Sequence, residues 1–517
     1  MTYYRPQWTC GRYDKHANVA LYYNLIEGIS YFFEDYSALV IGTILSIGRN
    51  TSITVEELSK QTDIAIDSLT PFLEELKGLH LLTIKQVTTD EIVAYREVVS
   101  AYRCRSSQEG EKSVQEKLPY GISTAEATYT DRVGGIISVM FELTYNCSEK
   151  CIHCYNVGAT RNDQEISQRG NRKELTLEDY RRIIDELYEK GLVKVCLSGG
   201  DPFSKPIIWE VIDYLYQKDI AFDIFTNGQQ LVGYVSRLAD YYPRLVGVSI
   251  YSGIARDHDY ITRINGSWAK SMTVVKQLSE LSVPLQLKCC VMQTNVKSYY
   301  MVADIAKQYG AVFQFEVALT DSVEGDKCVS RYLRLTPNML EIVLRDSNIP
   351  LYVGKEVPNY GGQTKPLNKN ACGAAYNSFC ISPEGNLLPC CSFHAPFGNL
   401  KAQTLTQILQ ESEELKWWRS LTLSQYRDCG KHDYCGYCNL CPGNNFSEFG
   451  TPLKAAETNC YIAKNRYELA CKMAKGYDPL DNKTLQDCLD SLSIPRVELL
   501  KREYSSNYND KSLKVGG

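Results

Sequence analysis

Between residues 134 and 320 strand-like and helix-like stretches alternate, and that alternation limits the fold more than any other feature of the chain. GGIISVMFELT (134–144) reads as a strand and LTLEDYRRIIDELYEKG as an amphipathic helix. VKVCLSGGDP is a strand and turn, IIWEVIDYLYQKD a helix, AFDIFTNG a strand and VSRLADYYP a helix. LVGVSIYS, PLQLKCCVMQTN and AVFQFEVAL continue the strands; SWAKSMTVVKQLSEL and YYMVADIAKQYG are the helices between them. Strands separated by helices imply βα units on a parallel sheet. About six units predict an α/β fold, a partial (β/α)6 TIM-like barrel, with ligands at the C-terminal ends of its strands.

The flanks differ. Residues 17–33, ANVALYYNLIEGISYFF, read as two strands around a turn at Glu27-Gly28. SALVIGTILSIG reads as a helix stopped by Gly48. Thr54 and Glu57 form a capping box that opens a second helix. IDSLTPFLEELKGLHLLTI begins a third helix and ends in a strand. Residues 1–102 are therefore expected to be a winged-helix-like domain, 103–133 a polar linker and 134–365 the barrel. Residues 366–475 are rich in Cys, Gly and Pro with little periodicity, and are expected to be stapled by metal clusters. Residues 476–517 read as a C-terminal tail, polar and frayed at its end.

A hydrophobic content of 44% and a charged content of 23% suit a folded globular chain. The net charge of −5 gives no basic field to attract nucleic acid or an anionic membrane. The N-terminus lacks the apolar core of a signal peptide, and the longest apolar run, 36–48, is too short to span a bilayer. A cytoplasmic chain with no membrane partner is expected.

Twenty cysteines in such a chain favour metal ligation over disulfides, because they cluster. Three lie in CSEKCIHCY (147–155), just past the first barrel strand, and eight lie from Cys372 to Cys441. Cys10, Cys104, Cys196, Cys289, Cys290, Cys328, Cys471 and Cys488 carry no ligand spacing and read as buried thiols. Cys147, Cys151 and Cys154 can hold three irons of a [4Fe–4S] cluster and leave the fourth iron open. The alternative is a zinc knuckle completed by His153.

The C-x3-C-x2-C-aromatic loop resembles that of the radical S-adenosylmethionine (SAM) enzymes. The resemblance implies that the open iron chelates the amino and carboxylate groups of SAM. SGGDP (198–202) resembles the family's Gly-Gly-Glu-Pro strand end, with Asp201 in place of glutamate. It implies SAM contacts from Gly199, Gly200 and Asp201. FTNGQ (225–229) resembles the next strand end, with Thr226 and Asn227 near the ribose. VSIYS (248–252) and the downstream Arg263 resemble the stretch whose serine and arginine hold the SAM carboxylate, here Ser249 and Arg263. Tyr155 is implied beside the adenine.

Cys372-x12-Gly385-x4-Cys390 resembles the opening of the SPASM auxiliary-cluster domain of the same superfamily. The family then expects C-x2-C-x5-C-x3-C and a last cysteine; this chain has Cys429-x2-His432-x5-Cys438-x2-Cys441, then Cys460. Histidine stands in one cysteine's place, with Cys435 as the replacement ligand. The resemblance implies an inner cluster on Cys372, Cys390 and Cys441 with Cys380 as a further candidate. It implies an outer cluster on Cys429, Cys435 or His432, Cys438 and Cys460. Three [4Fe–4S] clusters and SAM are thus the expected cofactors. Cys391 reads as a structural neighbour.

A winged helix ordinarily reads DNA, but DIAIDSLTPFLEELKG carries Asp63, Asp67, Glu74 and Glu75 against Lys77, and phosphates repel it. The N-terminal unit is similar instead to the recognition element that binds leader peptides of ribosomally made precursors (RRE), where the leader adds as a strand. The expected activity is crosslinking of a precursor peptide, by a thioether or carbon–carbon bond, through a 5′-deoxyadenosyl radical. The electron donor is expected to be a flavodoxin or ferredoxin. The rivals are maturation of a protein side chain, as in sulfatase and quinohemoprotein maturation, and an iron–sulfur regulator bound to DNA.

Overall fold

The computed structural model describes residues 1–108, 123–156, 174–321, 332–353, 368, 370–426 and 429–494. Strands β1 (Thr2–Tyr4) and β5 (Ser52–Thr54) pair antiparallel, and β2 (Thr9–Asp14), β3 (Val19–Asn24) and β4 (Ile29–Glu34) form an antiparallel sheet. Helices α1 (Asp35–Ser46), α2 (Val55–Thr62) and α3 (Ile66–Gly78) complete this unit. Tyr3, Ile41, Ile44, Leu58, Leu73 and Leu76 fill its core. The Thr54–Glu57 capping box opens α2, satisfying two backbone donors that a helix start leaves free.

Three readings of this region change. Strand β2 precedes the expected hairpin. HLLTI forms no strand; Thr83 makes only an isolated bridge to Tyr4. The stretch read as a linker, 103–133, is helical at both ends: α4 (Thr89–Gln108) runs into it and α5 (Thr124–Val133) closes it. Both helices have tertiary work that overrides their polar composition. Helix α4 lies along the barrel, with Arg96 donating to Ala239 O at 2.6 Å and Arg103 to Ser282 O at 3.0 Å. Helix α5 packs on β3 and β4.

Six parallel strands follow, β6 (Ser138–Glu142), β7 (Lys194–Ser198), β8 (Ala221–Thr226), β9 (Leu245–Ser249), β10 (Leu285–Cys290) and β11 (Val312–Glu316), in consecutive order. One side chain set, including Val139, Phe141, Val195, Leu197, Ile224, Val248 and Leu287, is buried in the core among apolar residues of the flanking helices, such as Ile183, Leu187, Val211 and Leu215. The alternate set faces the lumen. The sheet then gains β12 (Ser378–Ile381), parallel to β6, followed by β13 (Asn386–Leu388) and β14 (Gly398–Asn399). The cysteine-rich region is therefore part of the barrel sheet. It also has helices of its own, Leu405–Glu411, Glu413–Ser420, Pro442–Phe449 and Glu457–Ala474, where little periodicity was expected. The end of the tail lies outside the described residues. Among the described residues no helix is long and apolar enough to cross a membrane.

Buried charges fasten the N-terminal unit to the barrel. Glu126 of α5 accepts from Lys194 at 2.8 Å and from the Tyr23 hydroxyl at 2.9 Å, with Arg244 at 3.7 Å. Arg244 also clamps Asp223, and Arg5 clamps Asp219 at 2.6 and 2.9 Å. Lys194 opens β7, Asp219 precedes β8 and Arg244 precedes β9, so this unit sits on the N-terminal ends of the strands. Removing one partner of a buried ion pair strands the others without water. Glu126→Ala should therefore cost about 3 kcal/mol or more, seen as a lowered first transition in thermal unfolding.

Candidate functional site

The site grows from the C-terminal end of β6. Beyond Glu142 the chain turns into the cysteine loop, whose backbone is stitched on two sides. Gly200 N donates to Thr144 O at 2.7 Å and Asp201 N to Asn146 O at 2.9 Å. Lys150 N and Ile152 N donate to Thr262 O and Ile261 O, each at 3.0 Å. The first pair of bonds depends on glycine. Gly199 has φ +129°, and a Cβ there would overlap Thr144 O; a Cβ on Gly200 would overlap Asn146 O.

Cys147, Cys151 and Cys154 come together in this loop. Burial raises the Cys147 thiol to about 12, with Asp201, Cys154 and Glu149 adding to it, and burial raises Cys151 too, with Glu149, Cys154 and Cys147 around it. Cations or a metal would reverse that penalty. The His153 ring packs edge-on against Tyr251 at 4.6 Å, and its Nδ1 is buried without a partner. Among the described residues no three His, Cys, Asp or Glu side chains close on a point as a single ion requires.

Asp201 is wholly buried beside the loop. Its Oδ1 accepts from the Thr226 hydroxyl at 2.8 Å, while Oδ2 has no partner. Burial holds its carboxyl up at about 6, against the opposing bonds from Thr226 and Phe203 N. An orphaned buried carboxylate oxygen beside the Cys147 thiol fits the ammonium group of a SAM molecule chelated at an open iron. Thr226, expected near a ribose, spends its hydroxyl on Asp201 and on Gly228 N at 3.0 Å. Asn227 directs its amide at Cys147 Sγ, 3.3 Å away. Ser249 ends β9 in register with Lys288 of β10. Arg263 is half-buried in the left-handed region, φ +58°, directly after the Thr262 carbonyl that holds the loop. The Tyr155 hydroxyl, expected by the adenine, hydrogen bonds with the Cys391 thiol.

The auxiliary cysteines form two groups. Burial and the thiols of Cys391, Cys441 and Cys372 raise Cys390, and Cys380, buried on β12, has Cys390 and Cys391 beside it. Burial and the thiols of Cys460, Cys435, Cys438 and Cys429 raise Tyr434. His432 is exposed and stacks on Tyr434 at 4.8 Å. Of the cysteines without ligand spacing, Cys10, Cys289 and Cys488 are buried and Cys471 is exposed; Cys196 and Cys290 are half-buried on the lumen face, and Cys328 lies outside the described residues.

Sequence reasoning missed the groups that surround these thiols. Glu149, inside the motif, is buried; Ser267 and Cys151 donate to it. Glu142, at the end of β6, is 2% exposed, and burial pushes its carboxyl up to about 8. Cys391 has Tyr155, Glu142 and Lys288 around it. Strand parity was the available signal for Glu142 and Lys288; Glu149 had none.

An α/β barrel with three thiols and a buried carboxylate at its mouth, and two further thiol groups beyond, defines an iron–sulfur protein built to receive SAM. Residues 141–296 match the Radical SAM superfamily and residues 372–442 an iron-sulfur cluster-binding domain, SPASM. The chain thus carries a radical SAM domain followed by a SPASM domain, which marks it as an enzyme whose cofactors are SAM and iron–sulfur clusters. It is 25% identical over 348 residues to the antilisterial bacteriocin subtilosin biosynthesis protein AlbA of Bacillus subtilis, covering 65% of this chain and 70% of that one. It is 24% identical over 327 residues to the AdoMet-dependent heme synthase of Methanosarcina barkeri, covering 59% and 90%. It is 25% identical over 320 residues to the PqqA peptide cyclase of Bradyrhizobium diazoefficiens, covering 57% and 76%.

Two outcomes follow from the geometry. Asp201→Asn should keep the iron content of the enzyme but weaken SAM binding about tenfold, the worth of a charged hydrogen bond, by calorimetry. Glu142 holds its proton in the folded chain well above its ordinary 4.5. The folded state therefore binds more protons than the unfolded one between pH 4.5 and about 8, and stability falls as pH rises through that window. Glu142→Gln removes this slope, so the melting temperature of the variant relative to the native chain should climb from pH 5 to pH 8 and level off above.

Proposed function

We propose that this chain is a peptide maturase that crosslinks a ribosomally made precursor by a thioether or carbon–carbon bond. The observation that carries the peptide reading is the outer edge of β4, which pairs with no further strand among the described residues. Strand β4 ends its sheet, and its residues are mostly half-buried. Beside that edge Phe33 meets Phe72 of α3 at 5.9 Å, and Tyr36, 59% exposed, meets Phe72 at 6.2 Å. An extended leader can add to this edge through main-chain bonds and seat an apolar side chain among the three rings. Residues 1–102 thus serve as the leader-binding domain. Asp63, Asp67 and Glu75 of this face are exposed, which disfavours DNA. Relatives active in bacteriocin biosynthesis and peptide cyclisation support the reading; the heme synthase does not bear on the leader edge.

Cys147, Cys151 and Cys154 hold the SAM-binding cluster. Once loaded, that cluster with SAM would supply the abstraction of a hydrogen atom from the peptide. Gly199 and Gly200 let the methionine end of SAM lie against the backbone, Asp201 receives its ammonium, and Ser249 and Arg263 receive its carboxylate. Thr226 positions Asp201, Asn227 steadies Cys147, and Tyr155 ties the loop to the auxiliary domain. Cys372, Cys390 and Cys441, with Cys380, hold the inner auxiliary cluster; Cys429, Cys435, Cys438 and Cys460 hold the outer one. A peptide seated in the lumen between them would shield the substrate radical from water. The described cysteines are all free, which suits a reducing cytoplasm with a flavodoxin or ferredoxin as electron donor.

Co-expression with a candidate precursor, taken from any short reading frame that adjoins this gene, should yield a product lighter by two hydrogens per crosslink, read by mass spectrometry. Cys151→Ala should abolish that loss, and Phe72→Ala should weaken peptide binding about tenfold, the worth of a buried aromatic anchor. A crosslinked product from Cys151→Ala would overturn the mechanism; unaltered binding by Phe72→Ala would move the leader site elsewhere.

A further inference from the structure

Among the described residues, the inward faces of the barrel strands hold a cation, Lys288, that makes no ion pair. Register places Glu142 opposite Ser198, Phe225 opposite Gly247, and Ser249 opposite Lys288, which in turn faces Gln314. On β10 the outward Leu287 and Cys289 are buried in the core, whereas Lys288 and Cys290 are only half-buried. The lumen is open at this level. Lys288 lies over the Phe225 ring, its Nζ 3.4 Å from the centroid. Both side chains occupy the space above Gly247: a Cβ there would stand 2.7 Å from Phe225 Cδ1 and 3.2 Å from Lys288 Cδ. The lysine is thus held in place by packing and has little freedom to reach out of the barrel.

The neighbouring carboxyl groups are committed elsewhere. Asp223 is clamped by Arg244, Glu142 accepts from the Tyr145 hydroxyl at 3.3 Å, and Glu316 accepts from Ala318 N at 2.7 Å. Among the described residues Lys288 makes no ion pair. A half-buried ammonium that is only stacked on an aromatic ring keeps most of its desolvation cost, and a carboxylate arriving in the lumen relieves it. Cys391 lies within electrostatic reach of both Lys288 and Glu142. This lysine therefore faces the space between the SAM-binding loop and the inner auxiliary cysteines, where a substrate residue must be presented.

We propose that Lys288 is a specificity-determining residue, and that it receives the side-chain carboxylate of an aspartate or glutamate at or beside the reacting position of the peptide. This rests on the peptide-maturase reading. The other carboxylate that enters the barrel is that of SAM, and the experiment separates the two.

The loaded enzyme is compared with its K288M and K288R variants, using that candidate precursor and versions with each Asp changed to Asn or Glu to Gln. One acidic position should stand out. Changing it to the amide should lower kcat/KM of the native enzyme about tenfold or more, the size of a charge-assisted hydrogen bond. K288M should lose as much on the acidic peptide and show no further loss on the amide, with K288R recovering part of it. SAM affinity, by calorimetry, should be the same for K288M and the native enzyme. A K288M enzyme with weakened SAM binding would assign the lysine to SAM and overturn the proposal. Equal selectivity for acid over amide in the native and K288M enzymes would overturn it as well. A native enzyme that crosslinks no form of the peptide would instead bring down the maturase reading, and this inference with it.

Discussion

The carbonyl oxygens of Thr144 and Asn146 stand where side chains at positions 199 and 200 would have to be, and the whole site hangs on that close approach. Bonds from Gly200 N and Asp201 N fix the loop after β6 to the turn after β7. The same turn delivers Asp201 to the thiols, and Asp201 is oriented in turn by Thr226 at the end of β8. Three adjacent strand ends are thus coupled through one pair of glycines. A parallel sheet makes this possible because all its strands end on the same side, so residues distant in sequence arrive together. Main-chain bonds are well suited to the task. They position the thiols while leaving the side chains of the loop free for ligands.

The barrel separates the tasks between its two ends. The N-terminal unit is riveted to the N-terminal ends of the strands by Glu126, Lys194, Arg244 and the Arg5–Asp219 pair. The thiols lie at the opposite ends. A buried ionic network is a poor glue in energetic terms, because desolvation offsets much of the attraction. It does fix orientation, since each charge has one set of partners. If the unit presents a leader peptide as proposed, fixed orientation matters more to it than strength. The β12 strand does the same for the cysteine-rich region, adding it to the barrel sheet by backbone pairing with β6.

Much of this was readable from the chain. The hydrophobic periodicity of 134–320 carries all six strands, because each strand is buried on its helix face and each helix on one stripe. The family resemblance implies two auxiliary cysteine groups; in the structure thiols lie around Cys390 and around Tyr434. Other features were hidden for physical reasons. Helices α4 and α5 are polar by composition and are stabilised by bonds to the barrel such as Arg96 to Ala239 O, which no local window contains. Strand β12 is four residues long and pairs with a segment some 240 positions earlier. Glu142 and Lys288 have no spacing signature; only strand parity, combined with the register between strands, puts them in one lumen.

That parity has a consequence for how the fold can support radical chemistry. An interior filled by Val, Ile and Leu would be a packed core and would leave no room for a substrate. Here the inward positions are Met140, Cys196, Phe225, Gly247, Lys288 and Cys290, most of them half-buried, while the outward set is apolar and closed. Stability is carried by the outer layer between sheet and helices, so the inner layer is released from that duty. Its residues can be polar, unpaired and shaped to a ligand at small cost to folding. The partial barrel thereby turns a layer of polar and small side chains toward its lumen, and Gly247 in that layer marks where Phe225 and Lys288, from two strands, are fitted over the backbone.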